Sequence, residues 1–246
     1  MIVGRNWDNE NVGSIIVSFY CPVEGFSSIS FSRSIDMNFP INIDLVNFRT
    51  NKIANKLLLA PFYSYDGINE HGLAVSVAGV KEVTVRPQDK KDLIVVPLLV
   101  RKILDQTKNI EEAVELVEKY IPFDLDQHSL NTHFFVADAS GRSIILEYVD
   151  DEWKKFHSDK SWQVLTNRTI HSMTDEELRT KSRRYRNISE TLEKNEIELD
   201  WKGGLKILQN VAQKGTSWSV IYSPTGKDLY FSVYQKWDVV YHLKMP

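Results

Sequence analysis

Five short stretches of the chain place charged, amide or hydroxyl side chains where a strand or helix is expected to begin or end. Gly4-Arg5-Asn6-Trp7-Asp8 sets a guanidinium and a carboxylate three residues apart, directly after the apolar run Met1-Ile2-Val3. Such a pair suits a charged site at a strand end, and equally an ordinary surface ion pair, which contributes little. Asp66 to Gly72 (DGINEHG) has the composition of a tight turn, with Gly67 and Gly72 suited to positive φ. Leu165 to Thr169 (LTNRT) puts one amide, Asn167, just past an expected strand. A side-chain amide there can donate to a developing oxyanion, or simply serve a turn. Ser182 to Arg186 (SRRYR) adds three arginines in one helical turn. Most such groups face water, but one turned inward could grip a carboxylate bidentately. Thr216 to Ser219 (TSWS) opens the last strand set.

The rest of the chain narrows the chemistry. With 246 residues, 42% apolar and 26% charged, it is long enough for one large α/β or α+β domain. A net charge of -3 and a pI near 6.1 give no electrostatic reason to expect nucleic acid or anionic membrane as a partner. No apolar run approaches membrane-spanning length, and no signal peptide is expected. The single cysteine, Cys21, fits a reducing, cytoplasmic compartment and rules out a Cys-based zinc site. The six histidines never form HxH or HExxH, so spacing gives no metal site.

The elements that must position these groups follow from periodicity and turn chemistry. Short β-type runs are expected at Ser14 to Tyr20, Ser27 to Ser32, Leu57 to Ala60 and Leu73 to Val77. Helices follow at Leu93 to Leu104, with Pro97 in the first turn, and from Asn109, where Glu112 supplies a capping box. His133 to Ala137 and Ser143 to Tyr148 flank the hairpin signal Asp138-Ala139-Ser140-Gly141-Arg142, and Trp153 to His157 and Trp162 to Thr166 extend that set. Thr174 caps a long polar helix to about Lys194, Leu205 to Ala212 forms a short one, and three strands span Ser217 to Leu243. No linker or repeat divides the chain. The order predicts an α+β fold, two largely antiparallel sheets with helices outside, in a single domain over residues 1–246.

In this order, GRNWD, DGINEHGLAVS, VLTNRT, SRRYR and TSWSVIYSP resemble the choloylglycine hydrolase and penicillin V acylase family of linear-amide C–N hydrolases. The resemblance runs from residue 4 to the C-terminus. It implies the αββα sandwich of an N-terminal-nucleophile hydrolase, no cofactor, and a small-molecule amide substrate such as an N-acyl amino acid, penicillin V or a conjugated bile acid. Homo-oligomers are common in the family, so a homo-oligomer is carried over as an expectation. Arg5 would correspond to the active-site arginine and Asp8 to the aspartate that orients the terminal amine. Asn167 would be the side-chain oxyanion donor, and Gly79, through its backbone N–H, the second. The later arginine falls on Arg183 or Arg186, with Arg183 preferred. Phe62 and Tyr65 are expected in the wall of the acyl pocket, since apolar acyl groups gain from aromatic walls.

The chain departs from the family at its start. The family's nucleophile is a cysteine freed at the mature N-terminus, about one strand before GRNxD, whose own α-amino group is the base. Ile2 follows Met1 here, so removal of Met1 exposes no thiol. Three readings compete: a Cys-led strand upstream of this sequence, a non-catalytic relative that binds an acyl or amide ligand, or Cys21 as nucleophile after cleavage behind Tyr20. The first is preferred, because a chain without a nucleophile has little physical reason to keep Arg5, Asp8 and Asn167 together.

Overall fold

A computed structural model describes residues 1–10, 13–38, 52–88, 90–124, 129–195 and 197–245. The chain runs β1 (Val3–Asp8), β2 (Ile15–Tyr20), β3 (Ser28–Arg33), β4 (Asp66–Asn69), β5 (Ala74–Thr84), β6 (Asp92–Val95), α1 (Val96–Gln106), α2 (Ile110–Val117) and β7 (Tyr120–Phe123). It continues with β8 (Ser129–Ala137), β9 (Ser143–Val149), β10 (Glu152–Phe156), α3 (Asp175–Lys181), α4 (Arg183–Lys194), α5 (Trp201–Val211), β11 (Thr216–Ser223), β12 (Asp228–Val233) and β13 (Tyr241–Lys244). Seven strands form one antiparallel sheet in the order β10-β9-β8-β5-β4-β3-β2, and four form the other, β1-β11-β12-β13. The short strands β6 and β7 pair in parallel beside them.

Period-two alternation explains the layers. In the large sheet Leu73, Val75 and Val77 point to one apolar cluster with Leu99, Ile103 and Leu104 of α1 and Ala113 and Val117 of α2. Ala74, between them, points the other way, into a second cluster with Ile29, Phe31 and Ile68 against Trp218, Val220 and Tyr222 of β11. Ile221, out of phase with those three, packs outward on Leu205 and Leu208 of α5. The result is α1 and α2, the large sheet, the small sheet, then α5: four layers, αββα.

Several expected elements take other forms. Leu57 to Ala60 is part of a 3-10 segment, Lys52–Tyr63, and not a strand. The helix expected from Leu93 starts at Val96, after β6, with Pro97 in its first turn. Asn109 caps α2 by accepting from the Glu112 N–H at 2.9 Å. Trp162 to Thr166 makes no ladder; Gln163 instead donates to the Phe156 carbonyl at 2.8 Å and accepts from Ser143. The long helix after Thr174 breaks at Ser182, whose hydroxyl caps α4 by accepting from the Tyr185 N–H. That break fixes the rotational phase of α4.

DGINEHG is also more than a turn. Asp66 to Asn69 is a central strand, and Gly67 is needed for a close approach: a Cβ there would lie 2.6 Å from the Ile29 carbonyl oxygen. Only Gly72 takes positive φ, at +78°. Asn69 ties the turn to the end of α1, donating to the Leu104 and Thr107 carbonyls and accepting from the His71 and Leu73 N–H groups.

Candidate active site

Arg5 and Asp8 do not pair with each other. Residues three apart on a strand face opposite sides, and the ladder between β1 and β11 slips at Trp7/Asp8. Arg5 and Trp7 turn toward the large sheet, while Asn6 turns toward α5 and donates to the Leu208 carbonyl at 2.8 Å.

Arg5 is held by buried groups. Its Nε lies 2.7 Å from Oδ2 of Asp66, a charge contact without hydrogen-bond alignment, and its Nη1 donates to the Val77 carbonyl at 2.5 Å. Asp66 is fully buried and also accepts from the Tyr222 hydroxyl at 2.7 Å and the Trp218 indole at 3.3 Å. Burial pushes the Asp66 carboxyl above the usual range, against the Arg5 charge and those two donors, which pull it down. Burial, with Asp66 beside it, also raises the Tyr222 hydroxyl well above its ordinary value. Trp7 stacks on Trp218 with centroids 5.0 Å apart, and the Arg5 guanidinium lies 4.6 Å over its ring.

Asp8 belongs to a second network. Its carboxylate accepts from Arg184 Nη1 at 2.8 Å, Gln213 Nε2 at 2.6 Å and Thr216 Oγ1 at 2.5 Å. The same Arg184 donates through Nη2 to Oδ1 of Asn167 at 2.5 Å. Asn167 in turn donates from Nδ2 to the Gly79 carbonyl at 2.7 Å. The amide is thereby oriented from both ends. An NH2 group has two donors, so one N–H of Nδ2 is left for another acceptor.

Arg5 and Trp7 from the first network and Asp8, Asn167, Arg184 and Gln213 from the second line one cavity of about 1010 Å³. Met1 to Asn9 form one side of it, Ser76 to Gly79 of β5 another, and Asn167 and Arg184 the polar rim. Ile188 and Leu192 of α4 and Ile207, Leu208 and Val211 of α5 make an apolar wall. The cavity runs beside β1, which among the described residues pairs along one edge only, with β11.

Sequence reading placed other residues in this site that the structure keeps out. Arg183 and Arg186 are exposed on α4, and the arginine that reaches the cavity is Arg184, between them. Its signal was present: Ile188 and Leu192 follow it by four and eight residues, one helical stripe facing the cavity. Phe62 packs edge-on against Tyr20, outside the cavity. Tyr65 lies behind Trp7, with centroids 4.6 Å apart, and its hydroxyl accepts from Arg33. The aromatic rings that do line the cavity are Trp7, Phe135 and Trp162. Cys21 is exposed and lies outside it. Gln213 carried no sequence signal, because only the fold brings it to Asp8; Thr216 opens the TSWS stretch, but nothing local marked it as a partner of Asp8. Among the described residues no group of three or more His, Cys, Asp or Glu side chains could hold a metal, and no helix is long and apolar enough to cross a membrane.

Comparison with known proteins bears on both fold and family. The model of the linear amide C–N hydrolases, choloylglycine hydrolase family, matches residues 32–206. A penicillin V acylase from Pectobacterium atrosepticum is 32% identical over 111 residues, which are 42% of this chain and 29% of that protein, so the match spans less than a third of the relative's length. Among solved structures, penicillin V acylase from Agrobacterium tumefaciens superposes with a TM-score of 0.69 at 18% identity, over 99% of this chain and 82% of that one. A variant of conjugated bile acid hydrolase from Clostridium perfringens gives 0.73 at 14% identity, over 99% and 88%. At these identities the structures bear on the fold alone, and it is the same two-sheet fold.

Proposed function

The chain belongs to the choloylglycine hydrolase family of linear amide C–N hydrolases, and from that premise we propose that it cleaves a small-molecule, non-peptide amide in the cavity beside β1. The observation that carries this reading is the chain of bonds Asp8–Arg184–Asn167–Gly79 along one rim of that cavity. Its parts match the needs of acyl transfer. The spare Nδ2 hydrogen of Asn167 can donate to the oxyanion of a tetrahedral intermediate. Asp8, with three donors on its carboxylate, retains capacity to accept from an amine and hold it as a base. Arg5 adds a fixed positive charge nearby, where a thiolate would be stabilised. The apolar wall of α4 and α5 suits an acyl group.

The nucleophile in this reading is an N-terminal cysteine on a strand preceding Met1, lying in the cavity along the edge of β1 that is unpaired among the described residues. Its thiolate attacks the amide carbonyl, and its α-amino group takes the thiol proton and passes it to the leaving amine. Water then hydrolyses the thioester. The substrate is of the class named for the relatives, such as penicillin V or a conjugated bile acid, or an N-acyl amino acid as the family resemblance implies.

The test is expression with the upstream reading frame, or with a Cys-led strand supplied in its place, and assay on those three amide types. Turnover by that protein, but not by its Cys→Ala form, supports the proposal. Binding of the acylated compounds without turnover turns the reading toward a ligand-binding relative, and neither binding nor turnover overturns both.

A further inference from the structure

Asn167 sits in irregular backbone between β10 and α3. Such backbone can hold an amide in one orientation only if something outside the loop fixes it. Glu147, on β9, does this. Its carboxylate is only 4% exposed and takes four donors. Oε1 accepts from the Ile170 N–H at 2.6 Å and from Nδ1 of His133 at 2.9 Å. Oε2 accepts from the His171 N–H at 3.0 Å and from the ring Nδ1 of His171 at 2.8 Å. His133, fully buried on β8, completes the brace by donating from Nε2 to the Thr166 carbonyl at 2.9 Å.

The loop is thus tied one residue before Asn167 and again three and four residues after it. Both ring nitrogens of His133 face protein partners, the Glu147 carboxylate and the Thr166 carbonyl, so the ring is fixed from both ends. A buried ionised group is tolerated only when paired and fully hydrogen-bonded, and plain packing at this position would be served by leucine.

We propose that Glu147 is a positioning residue for the Asn167 amide, with His133 and His171 as its ties to the loop. The proposal rests on reading Asn167 as the oxyanion donor. Arg184 and Gly79 set the last step of the amide's orientation; Glu147 sets where the loop carries it.

The experiment is NMR on this chain, following the Asn167 side-chain NH2, the histidine ring nitrogens, and hydrogen exchange at the Ile170 and His171 amides. In the parent, the two Asn167 protons should be well separated in shift, the His133 ring nitrogens should show hydrogen-bonded shifts, and both amides should exchange slowly. In Glu147→Gln, exchange at those amides should rise about tenfold or more, as expected for losing bonds to a charged acceptor, and the Asn167 pair should collapse to solvent values. The Trp218 indole signal should stay put. His171→Ala, altering a partly exposed ring, should give the same changes in smaller measure and covers the case in which Glu147→Gln fails to fold. A folded Glu147→Gln protein with parent-like Asn167 and loop signals overturns the proposal, as does an unfolded one accompanied by an unchanged His171→Ala. Full turnover by Asn167→Ala in the nucleophile-bearing protein would sink the oxyanion reading separately, without moving these spectra.

Discussion

Arg184 and Asp8, 176 residues apart in sequence, meet at 2.8 Å, and the other arm of the same guanidinium holds Asn167. One side chain therefore sets the spacing between the proposed amine holder and the proposed oxyanion donor. Replacing it should misplace both, and misplacement of about 1 Å can cost roughly 10²-fold in rate. In the nucleophile-bearing protein, Arg184→Ala should lower kcat/KM by about that factor, while Arg183→Ala, one position away but exposed, should leave it unchanged. Equal effects of the two would remove Arg184 from the site.

Asn167→Ala should act on kcat more than on KM, because an oxyanion donor binds the transition state and not the ground state. The expected loss is about 10²–10³-fold. A steady-state comparison of the two constants decides it: a change confined to KM would make Asn167 a substrate contact instead.

What could be read in the sequence, and what could not, divides along physical lines. The layer order was legible because alternation on the strands and helical stripes on α2 record which face is buried, residue by residue. Arg5, Asp8, Asn167 and Gly79 could be named together from motif order, and the fold places them beside one cavity, though Gly79 meets Asn167 through its carbonyl and their roles stand as proposals. Arg184 was missed although Ile188 and Leu192 share its helical stripe, because in so polar a segment two apolar residues do not by themselves mark which face turns inward. Leu57 to Ala60 was misread because a short apolar run fits a strand and a 3-10 turn equally well. The Glu147 brace left no local mark at all. His133, Glu147 and His171 lie on different elements, and only pairing of β8 with β9 brings the first two together.

The edge of β1 that is unpaired among the described residues should accept a strand. Extending the chain by a Cys-led segment ought to raise Tm, by about 2–4 °C for each kcal/mol gained in a protein of this size, and to slow amide exchange along β1. The Cys→Ala version of the same extension should be equally stabilised but inactive, since the ladder uses backbone and the chemistry uses sulfur. Turnover without stabilisation would mean that the nucleophile enters the cavity by another route.

Glu147 should also leave a signature in acid. Burial alone would raise its carboxyl, but His133 and the Ile170, His171 and His171-ring donors outweigh burial and hold it near 2, below its ordinary 4.5. A carboxyl depressed in the folded state contributes stability that is full above the unfolded value and fades as pH falls toward the folded one. The stability difference between parent and Glu147→Gln should therefore be largest near neutral pH and shrink between about 4.5 and 2. Denaturant midpoints across that range measure it, and a difference independent of pH would mean that the carboxylate's charge is not what ties the loop.

The Arg5–Asp66 contact makes the opposite prediction about charge. Asp66 is raised despite its cation, so burial outweighs the pairing, and the ionised pair is expected to add little net stability. Breaking it is another matter. Asp66→Asn leaves Arg5, 9% exposed in its side chain, as a buried charge without a counter-ion, which should cost about 3–5 kcal/mol. Changing both to apolar residues of similar volume, Arg5→Met with Asp66→Leu, should recover much of that loss in chemical denaturation while abolishing turnover in the nucleophile-bearing protein. That split would assign the pair to chemistry, with the fold bearing its burial. A double variant no more stable than Asp66→Asn alone would instead make the pair a structural element of the β1–β4 contact.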